Sequence, residues 1–186
     1  MIRKNKIASA IIITAIMTTL ISCNDVNSSK VSLKETSIEA VKEGKELLKD
    51  ENYEDALNSF NMGISEDNNN SEALNLYKLT SSFISLKEAL ENYDMDSAQD
   101  LIENLKKNEE FSVMEEEITK CEKTLKSLRR QYSELDPKVA EVENTYSSGD
   151  YTKAKSKAEN LLQEVKGFSF LEKRLENILS KIENNS

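Results

Sequence analysis

The chain has 186 residues, 25 Lys+Arg against 34 Asp+Glu for a formal net charge of −9, and neither histidine nor tryptophan. Without histidine it can build no Ser-His-Asp or Cys-His catalytic site and no imidazole metal ligand, and two cysteines supply neither a thiolate zinc site nor a disulfide framework. Four glycines and one proline are too few for the turns of an all-β chain, while 32% charged and 38% apolar residues at helical spacing point to folded helices rather than disorder.

Arg3, Lys4 and Lys6 open the chain, and no acidic residue precedes Asp25. An uncharged, mostly apolar run from Ile7 to Ser22 follows. At about 16 residues it is short for a permanent membrane span and has the layout of an export signal. Its end, Leu20-Ile21-Ser22-Cys23, resembles the lipobox of bacterial lipoproteins, with a branched apolar residue three before the cysteine and a small one directly before it. The resemblance implies cleavage between Ser22 and Cys23, a diacylglycerol on the Cys23 thiol and an N-acyl chain on the new N-terminus. It implies no other cofactor. It places the mature chain on the outer face of a bacterial membrane, plasma or outer, firmly held because two or more acyl chains exceed the marginal grip of one. An uncleaved anchor and a plain secretory signal with Cys23 incidental are the alternative readings. With Cys23 lipidated, Cys121 is the one thiol left in the mature chain.

Three segments follow from this reading: a signal peptide at 1–22, a lipidated N-terminus with a flexible tether at 23–34, and an all-helical domain at 35–186. The polar tether has no apolar periodicity and would reach about 35 Å if stretched. Loss of residues 1–22 removes three positive charges and no negative ones, so the mature body is more acidic still. Such a body is a poor nucleic-acid binder and is repelled by anionic lipid heads.

From Glu35 onward apolar residues recur every three or four positions. Thr36-x-x-Glu39 predicts a capping box opening a first helix that runs to Leu48, with a break at Asp50-Glu51-Asn52. A second helix carries Tyr53, Ala56, Phe60 and Ile64, a third opens at Ser71, and a fourth opens at Asp94 or Asp96. Connections of about three to six residues turn each helix back on the one before. Phe111, Met114, Ile118, Cys121, Leu125, Leu128, Tyr132 and Leu135 then form a strict heptad stripe on a long helix over 111–135. Asp136-Pro137 predicts a helix restart, Gly149-Asp150 a turn, and Gly167 an interruption of the last helical stretch. The predicted class is all-α, built of antiparallel helical hairpins with one long heptad helix. Two uses of the stripe are open at this point: the core face of a helix lying on its neighbours, or self-association through 111–146 as a coiled coil.

Three helix-turn-helix junctions align with one another. They read Glu51-Asn-Tyr53-Glu-Asp-Ala56, Tyr93-Asp-Met95-Asp-Ser-Ala98 and Gly149-Asp-Tyr151-Thr-Lys-Ala154. With Gly44 before the first and Phe60 after it, the pattern resembles the tetratricopeptide (TPR) repeat, in which small residues let paired helices approach and an aromatic residue plugs the turn. The resemblance makes Gly44, Tyr53, Ala56, Phe60, Ala98, Gly149, Tyr151 and Ala154 the repeat-packing residues. The family repeats at about 34 residues, whereas Ala56 and Ala98 lie roughly 42 apart and Ala98 and Ala154 roughly 56, so the array is degenerate. A helical bundle with incidental spacing is the other reading.

The resemblance also implies a partner groove on the first helix of each pair. Alignment on Ala56 puts Ile38, Val41, Lys45 and Leu48 there, and alignment on Ala98 puts Phe83, Lys87 and Leu90 there. Apolar residues mixed with lysine suit an extended or helical segment bearing acidic groups, so the expected partner is a protein or peptide of the cell envelope. The one small basic cluster is Lys126, Arg129 and Arg130. Glu115-Glu116-Glu117 and Asp94-x-Asp96 point in different directions along a helix and form no calcium loop, and no nucleophile–base constellation marks a catalytic site. The expectation is a non-catalytic scaffold or adaptor without metal, with a self-associating surface lipoprotein or adhesin as the alternative.

Overall fold

A computed structural model describes residues 26–184, with side chains from residue 32. The expected signal peptide, its Ser22–Cys23 junction and the start of the expected tether lie outside the described residues. Those described are helical, with no strand among them. In chain order they are α1 (Val26–Lys49), α2 (Tyr53–Glu66), α3 (Ser71–Glu91), α4 (Met95–Leu105), a 3-10 turn (Phe111–Val113), α5 (Glu115–Ser147), α6 (Tyr151–Glu164) and α7 (Ser169–Asn184). Consecutive helices pack on each other, and α5 also touches α3 and α7.

The three junctions aligned in sequence fold alike. Glu51, Tyr93 and Gly149 occupy equivalent positions and all take left-handed backbone, at φ of 57°, 57° and 86°. In the first two, the amide of the following residue returns to the carbonyl five positions earlier, Asn52 to Leu47 at 2.9 Å and Asp94 to Ala89 at 2.8 Å. These bonds satisfy carbonyls that the helix end leaves unpaired. The next helix then starts at once, and Ala56, Ala98 and Ala154 each lie fully buried inside its first turn. Asp94 and Asp150 cap their helices by accepting from the amides of Ser97 and Lys153 at 3.1 and 3.2 Å.

Small residues set the closest approach between α1 and α2. A Cβ at Gly44 would sit 2.7 Å from Cδ1 and 2.8 Å from Cζ of the fully buried Phe60 ring. Further along, the Ser37 hydroxyl donates to the Gly63 carbonyl at 2.6 Å and accepts from Asn70 Nδ2 at 2.9 Å. Asn70 Oδ1 meanwhile accepts from the Ala73 amide and so caps α3. One buried serine thus fastens α1 to both α2 and the α2–α3 turn, with every polar group satisfied.

Two hydrophobic clusters share α5 as a spine. The first is built by α1–α4 on Met114, Ile118 and Leu125, and the second by α6 and α7 on Leu135, Val139 and Val142. The heptad stripe is therefore largely occupied within the chain, its members between Met114 and Val142 being buried or half-buried. Tyr93 links the two halves. It projects from the α3–α4 turn onto Phe168, ring centroids 4.8 Å apart, and fills the space over Gly167.

Two boundaries depart from the sequence reading. First, α1 begins at Val26, so residues 26–34 are helical backbone rather than a flexible tether. The Thr36 hydroxyl donates to the Ser32 carbonyl at 3.0 Å, as a threonine inside a helix does, and Glu39 faces forward to Lys42 at 3.6 Å instead of reaching back as a capping box requires. Second, α5 runs through Pro137 with no restart. Proline cannot donate to the Ser133 carbonyl and costs about 3 kcal/mol inside a helix. Both Ser133 and Pro137 are exposed, leaving that carbonyl open to water. Arg174 of α7 also bridges the break, binding Asp136 on one side and both oxygens of Glu143 on the other, at 2.9 and 2.7 Å.

Candidate functional site

The α1 residues named from the first junction converge. Ile38, Val41, Lys45 and Leu48 line one half-open groove of about 570 Å³, whose opposite wall comes from Glu72 of α3 and from Val113, Met114 and Glu117 around the start of α5. Val41, Leu48 and Met114 form a buried apolar floor, while Ile38 is 56% exposed at the rim. This arises because positions 38, 41, 45 and 48 repeat at helical spacing, so α1 presents one stripe towards α3 and α5.

Charge on the rim is balanced. Lys45 binds Glu72 across the groove, and Lys49 binds Glu46 at 2.8 Å along the same helix. The Glu46 carboxyl is held below the usual range first by its hydrogen bond to Lys49. The groove is thus an apolar trough with exchangeable ion pairs at its lip. A carboxylate entering it can replace Glu72 on Lys45 without leaving a buried charge alone.

The positions taken from the second junction do not join this groove. Phe83 is 2% exposed and packs its ring on Tyr53, with centroids 5.0 Å apart. Leu90 is half-buried against the first core cluster. Lys87 lies over the Tyr53 ring, 5.0 Å from its centroid, and lines a separate shallow depression with Glu54, Glu88 and Glu91. Burial pushes the Tyr53 phenol up to about 12, so it stays a neutral hydroxyl at all ordinary pH. These three residues are core and edge, not groove, because the tyrosine that closes the first turn covers the face that α3 would otherwise present.

Of the packing residues, Gly44, Ala56, Phe60, Ala98 and Ala154 sit at close helix contacts and Gly149 turns the chain as expected. Tyr151 does not plug its turn: it is 49% exposed and leans on Tyr146 at 5.3 Å. The buried aromatic of that half is Phe168 instead, reached by Tyr93.

Sequence spacing missed Lys42 and Lys49, although they share the face of Ile38 and Lys45 and periodicity could have found them. It had no means of finding Glu72, Val113 or Met114, which arrive by tertiary packing. Cys121 is half-buried, and burial first of all pushes its thiol up. Among the described residues no group of three or more acidic or cysteine side chains is placed to hold a metal, and no helix is long and apolar enough to cross a membrane. Comparison with protein-family models, with curated proteins and with solved structures returns no match.

Proposed function

We propose that the chain is a bacterial lipoprotein, anchored through Cys23 on the extracytoplasmic face of a membrane. There its degenerate TPR-like helical domain acts as a non-catalytic scaffold that holds a protein segment in the α1 groove. The observation that carries the binding part is the convergence of Ile38, Val41, Lys45 and Leu48 into one apolar trough with charge only at its lip. Peptide grooves of this kind take an apolar face and use a few polar groups to set register. The anchor rests on Arg3-Lys4-x-Lys6, the apolar run and Leu20-Ile21-Ser22-Cys23. The similar left-handed turns at Glu51, Tyr93 and Gly149 support the repeat reading. Self-association through 111–146 is less favoured, because the stripe it needs already packs on α1–α4, α6 and α7.

Two measurements test the two parts separately. Labelled palmitate should enter the wild-type protein in cells and be absent from Cys23→Ala, which should also leave the membrane fraction; label retained in Cys23→Ala would end the anchor. For the groove, Lys45→Glu combined with Ile38→Asp should abolish cross-linking to a partner while leaving the helical circular dichroism unchanged. Undiminished cross-linking would remove this face from the function.

A further inference from the structure

Basic residues of α5 form a second surface, beside its buried stripe where the helix faces α4. In a chain with nine more acidic than basic groups, several cations on and around this helix are matched by carboxylates. Lys120 pairs with Glu116 at 2.9 Å, Lys106 with Glu122 at 2.7 Å, Lys138 with Glu164 at 2.7 Å, and Arg130 with Glu134 at 3.8 Å. Lys123, Lys126 and Arg129 form no such pair; other exposed lysines, Lys107 and Lys173 among them, form none either, and what sets these three apart is that they line one cleft. All three are exposed, and among the described residues none makes an ion pair. Arg129 has one long contact, 3.5 Å to the Met95 carbonyl.

These three cations line one cleft of about 410 Å³ between α4 and α5. Its floor is the buried Leu125, and Gln99 of α4 and Thr119 add polar groups at its sides. The only carboxylate in the lining, Glu122, is already engaged by Lys106. From Lys123 to Arg129 the row runs about 9 Å along the helix. The result is a concave, locally basic site with an apolar floor and flanking hydrogen-bonding groups.

We propose that this α4–α5 cleft binds an acidic, partly apolar protein segment, independently of the α1 groove. Charge complementarity gives the sign of the occupant, since three cations face the cleft against one carboxylate that Lys106 already engages. The apolar floor and the aliphatic lysine stems give it a side-chain-bearing partner rather than a bare inorganic anion. Concavity and the acidity of the surrounding surface disfavour a flat anionic bilayer, which would bring its charge against the Glu115-Glu116-Glu117 run as well.

Full-length lipidated protein in neutral detergent micelles, with a fluorescein-labelled Glu-Leu-Glu-Leu-Glu-Leu-Glu peptide blocked at both ends, provides the test by fluorescence anisotropy. Wild type should bind this peptide in preference to its Gln-for-Glu counterpart, with affinity falling as salt is raised. The Lys123→Gln, Lys126→Gln, Arg129→Gln triple variant should bind roughly tenfold more weakly, because exposed ion pairs are individually weak but add along the row. Lys120→Gln with Arg130→Gln, which removes two paired cations of the same helix, should leave binding unchanged. The triple variant touches no core residue, and unchanged helical circular dichroism would show that it folds. Equal affinity for the charged and neutral peptides, or full binding by the triple variant, would overturn the proposal. Displacement of the peptide by phosphatidylglycerol added to the micelles would reassign the cleft to lipid heads. Charge-dependent self-association abolished in the triple variant would reassign it to a second copy of this chain. Because the α1 groove is itself expected to take an acidic segment, each comparison is made in the Lys45→Glu, Ile38→Asp background, where binding that persists and is lost with the three cations belongs to the α4–α5 cleft; failure here and failure of the groove are then distinguishable.

Discussion

Replacing Gly44 by alanine sets two effects against each other, and the structure decides the sign. In an exposed helix interior the change should stabilise by about 1 kcal/mol, since alanine is the better helix former. Here the added Cβ would lie 2.7 Å from Phe60 Cδ1, which no contact distance tolerates. Phe60 is fully buried between α1, α2 and α3, so its ring cannot swing into solvent and the helices must part. Overpacking of this kind costs about 1–3 kcal/mol, and the close contact with a rigid ring belongs at the upper end. The net expectation is a loss of about 1–2 kcal/mol, a fall in Tm of roughly 2–8 °C for a domain of this size. Urea unfolding followed by helical circular dichroism measures it. The double variant with Phe60→Leu completes a cycle: a smaller, flexible side chain at 60 makes room for the methyl, so Gly44→Ala should become neutral or stabilising there. Stabilisation by about 1 kcal/mol in the wild-type background would show that α1 and α2 do not meet at Gly44, and the first hairpin as described would be wrong.

Other outcomes follow from the same geometry. At Gly149 a Cβ meets nothing within 4 Å but φ is +86°, so Gly149→Ala should cost about 1 kcal/mol through backbone alone; Glu51→Gly, at φ 57°, should stabilise by roughly 0.5–1 kcal/mol, both read as shifts in urea midpoint at constant slope. Arg174 holds the Glu143 carboxyl below its usual range, chiefly by hydrogen bonding. Because that folded-state pKa is depressed, its stabilisation is present above the ordinary glutamate value of 4.5 and is lost as pH falls through the folded value. Arg174→Met should therefore flatten the acid side of the stability curve below about pH 4.5, its loss relative to wild type being largest and constant at neutral pH and shrinking as pH falls; an unchanged acid limb would mean that the α5–α7 bridge is not formed. The thiol of Cys121 is raised by burial and should react with iodoacetamide slowly in native protein at pH 7 and quickly in urea, whereas equal rates would place it at the surface.

The parts of this fold that were legible in the sequence are those fixed by local chemistry. The junctions Glu51-Asn-x-x-x-Ala56, Tyr93-Asp-x-x-x-Ala98 and Gly149-Asp-x-x-x-Ala154 each set a polar N-cap residue four before a small one, which marks the turn and the close contact; the left-handed backbone itself was legible only at Gly149, since Glu51 and Tyr93 are not residues that favour it. The α1 face of the groove was legible for the same reason, since Ile38, Val41, Lys45 and Leu48 share a stripe whatever surrounds them. What was not legible depends on distant partners. Thr36 can cap a helix or bond back within one, and nothing nearby decides between them. Pro137 ends most helices; it is carried through α5 because the orphaned Ser133 carbonyl meets water and Arg174, far along the chain, spans the break. Phe83 and Lys87 have groove-like spacing, and only the placement of Tyr53 over them turns that face inward. The basic run on α5 was visible as Lys126-x-x-Arg129-Arg130, and the pairing of Arg130 with Glu134 one turn on is local enough to read there too; that Lys123 joins Lys126 and Arg129 in one cleft against α4 is a tertiary fact.

The central claim, a lipid-anchored scaffold that works through the α1 groove, is tested most directly by a photo-crosslinking residue at position 38 of the full-length protein in living cells. The expected result is a discrete adduct with an envelope protein, formed by the lipidated membrane-bound form and lost when Lys45→Glu is added. An adduct only with a second copy of this chain, or one that Lys45→Glu leaves intact, would contradict the account.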